Sequence, residues 1–315
     1  MDYLLLLLGF VFLVKGADFF VTGSSSIAKK FGIPEFIIGL TLVAFGTSAP
    51  ELAVSLTASL AGQNEIAISN VVGSNIFNIF AVLGFSALIL PIKVDKNILS
   101  KDLPFSFVAA IVTLFLSADI FLGSENTNVI TRGDGLTLLV LFCVFLYYTI
   151  TYALNNKEAV ESEEIESLPI YKSVFLIFVG LAGVVMGGNF VVDSATNIAL
   201  SFNVSETIIG LTIVALGTSL PEFVTTVIAT KKGNADMALG NVVGSNIFNL
   251  LLILGLTATI DPITVVSVNL YDLVVLIVLT LVVILMSASS KKIDRKEGII
   301  LILGLVAYYI FIFVR

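Results

Sequence analysis

The chain has 315 residues, of which 57% are hydrophobic and only 12% are charged, and its mean hydropathy is +1.08. About a quarter of the residues in a soluble domain are charged, so these values exclude an ordinary soluble protein and indicate that lipid surrounds most of the surface. The net charge of −7 argues against a nucleic-acid partner. Histidine is absent and Cys143 is the only cysteine, which excludes a disulfide framework and His- or Cys-based metal sites. Cys143 lies in an apolar run and is predicted to be buried.

Ten stretches are long and apolar enough to cross a membrane as helices, which requires about 20 residues each. They are predicted at 3–22, 35–60, 65–91, 103–122, 135–154, 172–192, 206–230, 235–259, 269–288 and 297–314. The first stretch lacks a basic segment before it and a cleavage site after it, so we expect it to remain a helix of the mature protein.

Lysine and arginine are distributed unevenly between the two sets of loops that alternate along these spans. Thirteen of the sixteen basic residues lie in one set, two lie in the other, and Lys15 lies within the first span. Because basic residues favour the cytoplasmic side, the larger set is predicted to be cytoplasmic. Both termini are then extracellular, and the multi-pass chain is expected in the plasma membrane.

The sequence repeats itself at an offset of 171 residues. Segment 35–51 reads EFIIGLTLVAFGTSAPE and segment 206–222 reads ETIIGLTIVALGTSLPE, while NVVGSNIFN occurs at 70–78 and again at 241–249. These matches indicate a duplicated unit of five helices. Because five is odd, the second copy must cross the membrane in the opposite sense, which is the inverted repeat of secondary transporters.

The predicted fold is therefore an all-α polytopic membrane protein with ten transmembrane helices in two inverted five-helix repeats. The first repeat is assigned to residues 1–154 and the second to residues 172–315. Residues 155–171 include a cluster of glutamates and are predicted to form an acidic cytoplasmic linker, too short to fold as a domain.

Each repeat carries the motif G-T-S-x-P-E within its second span. A carboxylate at this depth is costly unless it is paired or bound to a cation, and no lysine or arginine lies in the inner parts of the neighbouring spans. The threonine and serine lie one turn before the glutamate, and the proline breaks the helix and frees backbone carbonyls. All of these are oxygen ligands, which Ca2+ and Na+ prefer. The candidate residues are Thr47, Ser48 and Glu51 in the first repeat and Thr218, Ser219 and Glu222 in the second.

The third span of each repeat adds polar side chains to the same region. Ser74 and Asn78 are four residues apart on one helix face, as are Ser245 and Asn249. They are predicted to supply further oxygen ligands or to hold the carboxylates by hydrogen bonds. Four more intramembrane asparagines, which could equally join helices, are Asn70, Asn75, Asn241 and Asn246.

Other polar residues have more ordinary interpretations. Glu35 and Glu206 lie at the entrances of spans and Asp193 lies at the outer end of the sixth, so all three are predicted to be solvated. An enzyme is not expected, because Ser48 and Ser219 lack a histidine or lysine neighbour that could activate them as nucleophiles.

The paired G-T-S-x-P-E and G-S-N-x-x-N blocks resemble the α-repeats of the cation/Ca2+ exchanger superfamily and are most similar to its Na+/Ca2+ branch. The resemblance covers both halves of the chain and implies alternating access, in which the first and sixth helices slide against the rest. It also implies four cation subsites around the two glutamates, no cofactor besides the transported ions and no obligate protein partner. The large regulatory region of animal exchangers is absent, so a minimal prokaryotic type is expected.

The family's binding residues carry over to matching positions of this chain. Glu51 and Glu222 would be the central ligands, and backbone carbonyls of Ala44 and Ala215 would complete outer Na+ subsites. The other residues that the resemblance places around the ions are Thr47, Ser48, Thr218, Ser219, Ser74, Ser245, Asn78 and Asn249.

The expected function is exchange of Na+ for Ca2+, with three alternatives left open. A K+-dependent Na+/Ca2+ antiporter is disfavoured, because such exchangers typically carry Asp at the position of Asn249. A proton-coupled Ca2+ antiporter is disfavoured, because such relatives have different motif sequences and often carry histidine, which this chain lacks. Helices that break and close on a central site favour a carrier over a passive cation channel.

Overall fold

The computed structural model describes residues 2–123, 127–155, 168–202 and 215–314. Helices in the first half are α1 (Asp2–Phe31), α2 (Glu35–Ile38), α3 (Ala44–Thr47), α4 (Ala49–Leu60), α5 (Asn64–Phe77), α6 (Gly84–Ile89), α7 (Leu103–Leu116), α8 (Asp119–Leu122) and α9 (Arg132–Asn155). Helices in the second half are α10 (Ile170–Ser201), α11 (Ala215–Gly217), α12 (Leu220–Lys231), α13 (Ala235–Ile247), α14 (Leu254–Ile260), α15 (Ser267–Ser290) and α16 (Arg295–Val314). π-helical turns lie at Gly39–Val43, Asn78–Leu83, Ile98–Asp102 and Phe248–Ile253, and short strands are β1 (Ile92–Lys93), β2 (Val129–Ile130), β3 (Ile263–Thr264) and β4 (Lys292–Ile293).

The prediction of a helical membrane protein is confirmed. Within the described ranges, seven helices are long and apolar enough to span a membrane, and an eighth span results if the bent pair Glu35–Thr47 and Ala49–Leu60 counts as one. The seventh predicted span, 206–230, falls partly outside the described residues, as do Glu206 and most of the 155–171 linker. The tenth predicted span coincides with α16, and the count of ten stays a prediction.

The centre of the molecule is formed by two of the long spans. The spans Glu65–Ile89 and Ala235–Ile260 are 72% and 78% buried, whereas the other long spans are 22–39% buried. These two spans carry the NVVGSNIFN segments, so the repeated sequence lies where the two halves pack together.

The long helices α1 and α10 pack against each other with little more than backbone between them. A Cβ atom added at Gly16 would lie 2.6 Å from the Val184 nitrogen, and one at Gly23 would lie 2.7 Å from the Ser173 oxygen. Contacts at Gly9 with Gly187 continue this seven-residue spacing, which runs in opposite directions on the two helices. At about 1.5 Å per residue, both helices exceed the roughly 30 Å thickness of a hydrocarbon core and must tilt or project from it.

Both helices also extend beyond their predicted ends at residues 22 and 192. The serines after residue 22 indicate a loop by composition, but in the structure they are buried within α1. Ser26 accepts hydrogen bonds from the Leu168 nitrogen and the Ser173 hydroxyl, and Ser25 accepts one from Asn234. Tertiary partners thus satisfy the hydroxyls of Ser25 and Ser26 and allow the helix to continue.

Two small antiparallel ladders connect the repeats crosswise. Strand β1 pairs with β4 in the register Ile92 to Ile293, and β2 pairs with β3 in the register Ile130 to Ile263. Each ladder therefore takes one strand from each half of the chain. The strands were not predicted, because two residues are too few to show the alternation that identifies a strand.

The last helix of each repeat begins with a reciprocal capping box. The nitrogen of Thr131 donates to Asp134 and the Asp134 nitrogen donates back to the Thr131 hydroxyl, while Asp294 and Glu297 exchange the same bonds. The backbone N–H groups of Glu297 and Lys296 stabilise the charged form of Asp294 and lower its pKa.

Two of the minor predictions are wrong. Cys143 is exposed rather than buried, because it lies on the outward face of α9, where lipid is the surrounding medium. Glu35 is not a solvated loop residue: it begins α2, and its Oε1 atom is buried. Asp193 is exposed, as predicted, although it lies within α10 rather than beyond it.

Candidate cation-binding site

The two G-T-S-x-P-E motifs form matching helix breaks. Ser48 (φ −80°, ψ 6°) separates α3 from α4, and Ser219 (φ −88°, ψ 3°) precedes α12. The helices on either side of Ser48 meet at 44°. Each proline follows within the first two positions of the new helix, where its missing N–H costs nothing. Glu51 and Glu222 consequently lie in the first turn, near the positive ends of the helix dipoles.

Each glutamate is held by the serine of the opposite repeat. The Ser48 hydroxyl donates to Glu222 Oε1 at 3.0 Å, and the Ser219 hydroxyl lies 3.2 Å from Glu51 Oε1. Ser74 also donates to Glu51 Oε1 at 3.1 Å and lies 2.8 Å from the Ser219 hydroxyl. The structure thus brings both predicted glutamates and these serines into one cluster.

Five oxygens of the predicted site residues have no hydrogen-bond partner among the described residues, although all five are buried. Their residues are 0% exposed, and they include one carboxylate oxygen from each glutamate. The five atoms are Glu51 Oε2, Glu222 Oε2, Asn78 Oδ1, Asn249 Oδ1 and Ser245 Oγ. A buried polar atom without a partner is costly, so this set requires an explanation.

A hard cation fits this set of atoms. Neither glutamate forms an ion pair, since the described residues contain a single salt bridge, between Lys232 and Asp18. Those residues also hold no cluster of three or more His, Cys, Asp or Glu side chains. Two carboxylates and several neutral oxygens match the preference of Ca2+ for six to eight oxygen ligands.

The threonines of the motifs lie beside the glutamates but form hydrogen bonds of their own. Thr47 lies 3.2 Å from Asn241 Oδ1, and Thr218 lies 3.3 Å from Asn70 Oδ1. The amide nitrogen of Asn70 continues to Ser55, as that of Asn241 continues to Thr226. The two chains of bonds are equivalent under the 171-residue offset.

The two alanines predicted as carbonyl ligands lie next to the helix breaks. The Ala44 carbonyl accepts a hydrogen bond from the Ser48 nitrogen at 3.0 Å and lies 3.4 Å from the Thr47 hydroxyl. Ala215 is the first residue of α11. Their role as ligands stays a prediction.

Asn75 and Asn246, which sequence reasoning treated only as intramembrane polar residues, join the two repeats. The Asn75 amide nitrogen donates to the Asn246 carbonyl oxygen at 3.0 Å. The helix then widens into a π-helical turn at Asn78–Leu83 and at Phe248–Ile253, a distortion frequent at functional sites. The identical NVVGSNIFN segments were the available signal, since they contain all of these asparagines.

Comparison with known proteins gives matches over nearly the whole chain. The model of the family "Sodium/calcium exchanger protein" matches residues 1–151 and 172–314. The sodium/calcium exchanger MaX1 of Methanosarcina acetivorans is 35% identical over 99% of this chain and 98% of its own length. The inner membrane protein YrbG of Escherichia coli is 37% identical over 82% of this chain and 79% of its own length.

The fold is also that of a solved exchanger. A structure of the sodium-calcium exchanger NCX_Mj soaked with 10 mM Na+ and zero Ca2+ superimposes with a TM-score of 0.85, at 35% identity over 98% of both chains. The family is one of membrane ion exchangers rather than enzymes. On the match of both halves to the family model and of the whole fold to NCX_Mj, the chain belongs to the sodium/calcium exchanger protein family.

Proposed function

We propose that the chain is a secondary antiporter that exchanges Na+ for Ca2+ by alternating access at a central site containing two glutamates. The observation that carries the proposal is the set of five buried oxygens that have no hydrogen-bond partner within the described ranges. Na+ and Ca2+ are cargo rather than resident cofactors, and no partner protein is required. All twelve predicted site residues, including the carbonyls of Ala44 and Ala215, are assigned to this site or its walls.

The charge of the site explains why exchange of one ion for another would be faster than transport of an ion without a counter-ion. One Ca2+ neutralises two carboxylates, and Na+ ions bring comparable charge in smaller units, so the two loads exclude each other. Without any cation, Glu51 and Glu222 would place two unpaired charges in a buried region, which is strongly unfavourable. The empty carrier should therefore change conformation rarely, and an ion on one side has to replace an ion from the other.

A difference between the repeats supports alternating access. Met237 on α13 is 0% exposed, whereas Ile66, its equivalent on α5, is 43% exposed. Gly240 packs against the Phe36 carbonyl oxygen, but its equivalent Ser69 is exposed. Residues 206–214, the equivalents of the segment that packs on α13, lie outside the described residues. Within the described part of the chain, α13 is closed over and α5 is exposed at the equivalent positions, and exchanging the two arrangements would move access to the opposite side.

The orientation follows from the loops. With ten spans in two inverted five-helix repeats and both termini outside the plasma membrane, the closed side faces the cytoplasm. The crosswise ladders hold the repeats together at both membrane surfaces. The closely packed pair of α1 and α10 is then the element that slides to switch access, and it moves as one unit because the glycine contacts hold the two helices to each other.

The test is 45Ca2+ uptake into proteoliposomes loaded with Na+, K+ or acid. We expect uptake only with an outward Na+ gradient, and at least a hundredfold loss in Glu51→Gln, because one central charge is removed. Asp193→Asn is the matched control, since it removes an exposed carboxylate. Uptake driven by a pH gradient would assign the protein to proton-coupled transport. Uptake without any counter-gradient, or unchanged uptake in Glu51→Gln, would overturn the proposal.

A further inference from the structure

The asparagines at positions 75 and 246 occupy a particular place beside the proposed ion site. Each accepts a hydrogen bond from the asparagine, Asn78 or Asn249, that the opposite repeat contributes to the proposed ion site. Asn78 donates its amide nitrogen to Asn246 Oδ1 at 3.1 Å, and Asn249 donates to Asn75 Oδ1 at 2.9 Å. We infer that Asn75 and Asn246 are positioning residues that fix which end of the Asn249 and Asn78 amides faces the cations; this inference rests on the proposed function.

The orientation of a primary amide matters because its two ends are opposite in character. The oxygen attracts a cation, whereas the NH2 group can only donate hydrogen bonds and repels one. The Asn78 and Asn249 nitrogens are engaged, and their Oδ1 atoms are left without a partner among the residues that the structure describes. These residues are 0% exposed, so water cannot substitute for a lost protein acceptor.

The positioning residues are themselves held by backbone. Asn75 Nδ2 donates to the Asn246 carbonyl oxygen at 3.0 Å, and Asn246 Nδ2 lies 3.5 Å from the Asn75 carbonyl oxygen. The amide nitrogens of Asn75 and Asn246 are thus directed to the main chain of the opposite helix. Their Oδ1 atoms remain free to accept the hydrogen bonds from Asn249 and Asn78. A side-chain change at position 246 removes the acceptor for Asn78 and keeps the backbone acceptor for Asn75.

The expected effect is larger for Ca2+ than for Na+. The amides of Asn78 and Asn249 each add an oxygen ligand without adding charge. The site therefore keeps two negative charges while the number of its ligands rises. Ca2+ takes six to eight oxygens, and losing one and gaining a donor in its place should weaken binding about tenfold. The Na+ requirement should change less, because each Na+ carries half the charge.

The experiment is a double-mutant cycle on purified protein, read by equilibrium 45Ca2+ binding and by uptake at increasing Ca2+. Asn246→Leu and Asn78→Ala should each raise the Ca2+ concentration for half-saturation about tenfold, and Asn246→Leu should keep the maximal rate. The double variant with Asn246→Leu and Asn78→Ala should still raise this Ca2+ concentration only about tenfold, because the second change removes no further interaction. In the double variant with Asn246→Leu and Asn249→Ala the two effects should instead multiply, so that the Ca2+ concentration for half-saturation rises about a hundredfold.

The mirror pair Asn75→Leu and Asn249→Ala repeats the test if Asn246→Leu does not fold. The positioning role would be overturned if the single effects multiplied both in Asn246→Leu with Asn78→Ala and in Asn75→Leu with Asn249→Ala. Unchanged Ca2+ binding in both leucine variants would also overturn it. Because binding is measured without a gradient, this outcome is separate from failure of Na+-driven uptake in the wild type, which would instead overturn the proposed function.

Discussion

At the scale of single residues, the site separates side chains that are already hydrogen-bonded from those that are not. Ser74 donates to Glu51 and contacts both Ser219 and Asn249, whereas its equivalent Ser245 has no partner within the described part of the chain. The two serines occupy identical sequence motifs, so sequence alone gives them the same role. The structure distinguishes a hydroxyl that supports the protein from one available to an ion.

This difference gives a matched pair of substitutions. Ser74→Ala should lower the free energy of unfolding of the ion-free protein by about 1–3 kcal/mol, because it leaves buried partners unsatisfied. Ser245→Ala should leave that stability unchanged or slightly higher, yet reduce the stabilisation that added Ca2+ provides. Thermal unfolding in detergent, with and without Ca2+, measures both effects. Equal loss of stability in the two ion-free variants would contradict the assignment.

At the scale of helices, α1 and α10 form a unit that is linked to the rest by one described ion pair. Lys232, which follows α12, lies 2.7 Å from Asp18 Oδ1 and also donates to the Asp18 carbonyl oxygen. The 171-residue offset places Ala61 at the position equivalent to Lys232, so the described residues on the other side of the molecule have no equivalent ion pair. On the proposed topology this contact holds only the cytoplasmic side closed.

Removing the contact should therefore favour opening on that side. Lys232→Ala is expected to raise the ratio of open to closed molecules by up to about fivefold, since a partly exposed ion pair contributes at most about 1 kcal/mol. Hydrogen exchange at the junction of α12 and α13 measures the ratio. Lys231→Ala is the control, because this neighbour has no ion pair in the described structure. Equal exchange in both variants would show that the contact has no influence.

At the scale of the whole molecule, the repeat offset predicted which residues meet, but not how the protein closes around them. The two identical asparagine segments and the paired glutamates are buried and hydrogen-bonded across the two halves, while their assignment as an ion site stays a prediction. The burial of Ser24–Ser26 in α1, the lipid-facing position of Cys143 and the two-residue strands could not be predicted. Each depends on neighbours far away in sequence rather than on local pattern.

The crosswise architecture predicts which parts can be linked without stopping transport. In a Cys143→Ala background, a short bifunctional thiol reagent that joins Lys93→Cys to Lys292→Cys should leave 45Ca2+ uptake nearly unchanged, because on the proposed mechanism this ladder belongs to the stationary core. The same reagent joining Asp18→Cys to Lys232→Cys should abolish most uptake, since it ties α1 to that core. Inhibition by both links, or by neither, would refute the division into a fixed core and a sliding pair.

The hydrogen bonds between repeats have a further consequence, for the way the chain can evolve. Its matching halves indicate an ancestral five-helix unit that was duplicated, and duplicates are ordinarily free to diverge. Here Asn249 donates a hydrogen bond to Asn75, and Glu51 accepts one from Ser219, so on the proposed function a change in one copy alters an ion ligand of the other. The two copies are therefore constrained to inherit compatible changes, and natural selection acts on them as a single unit.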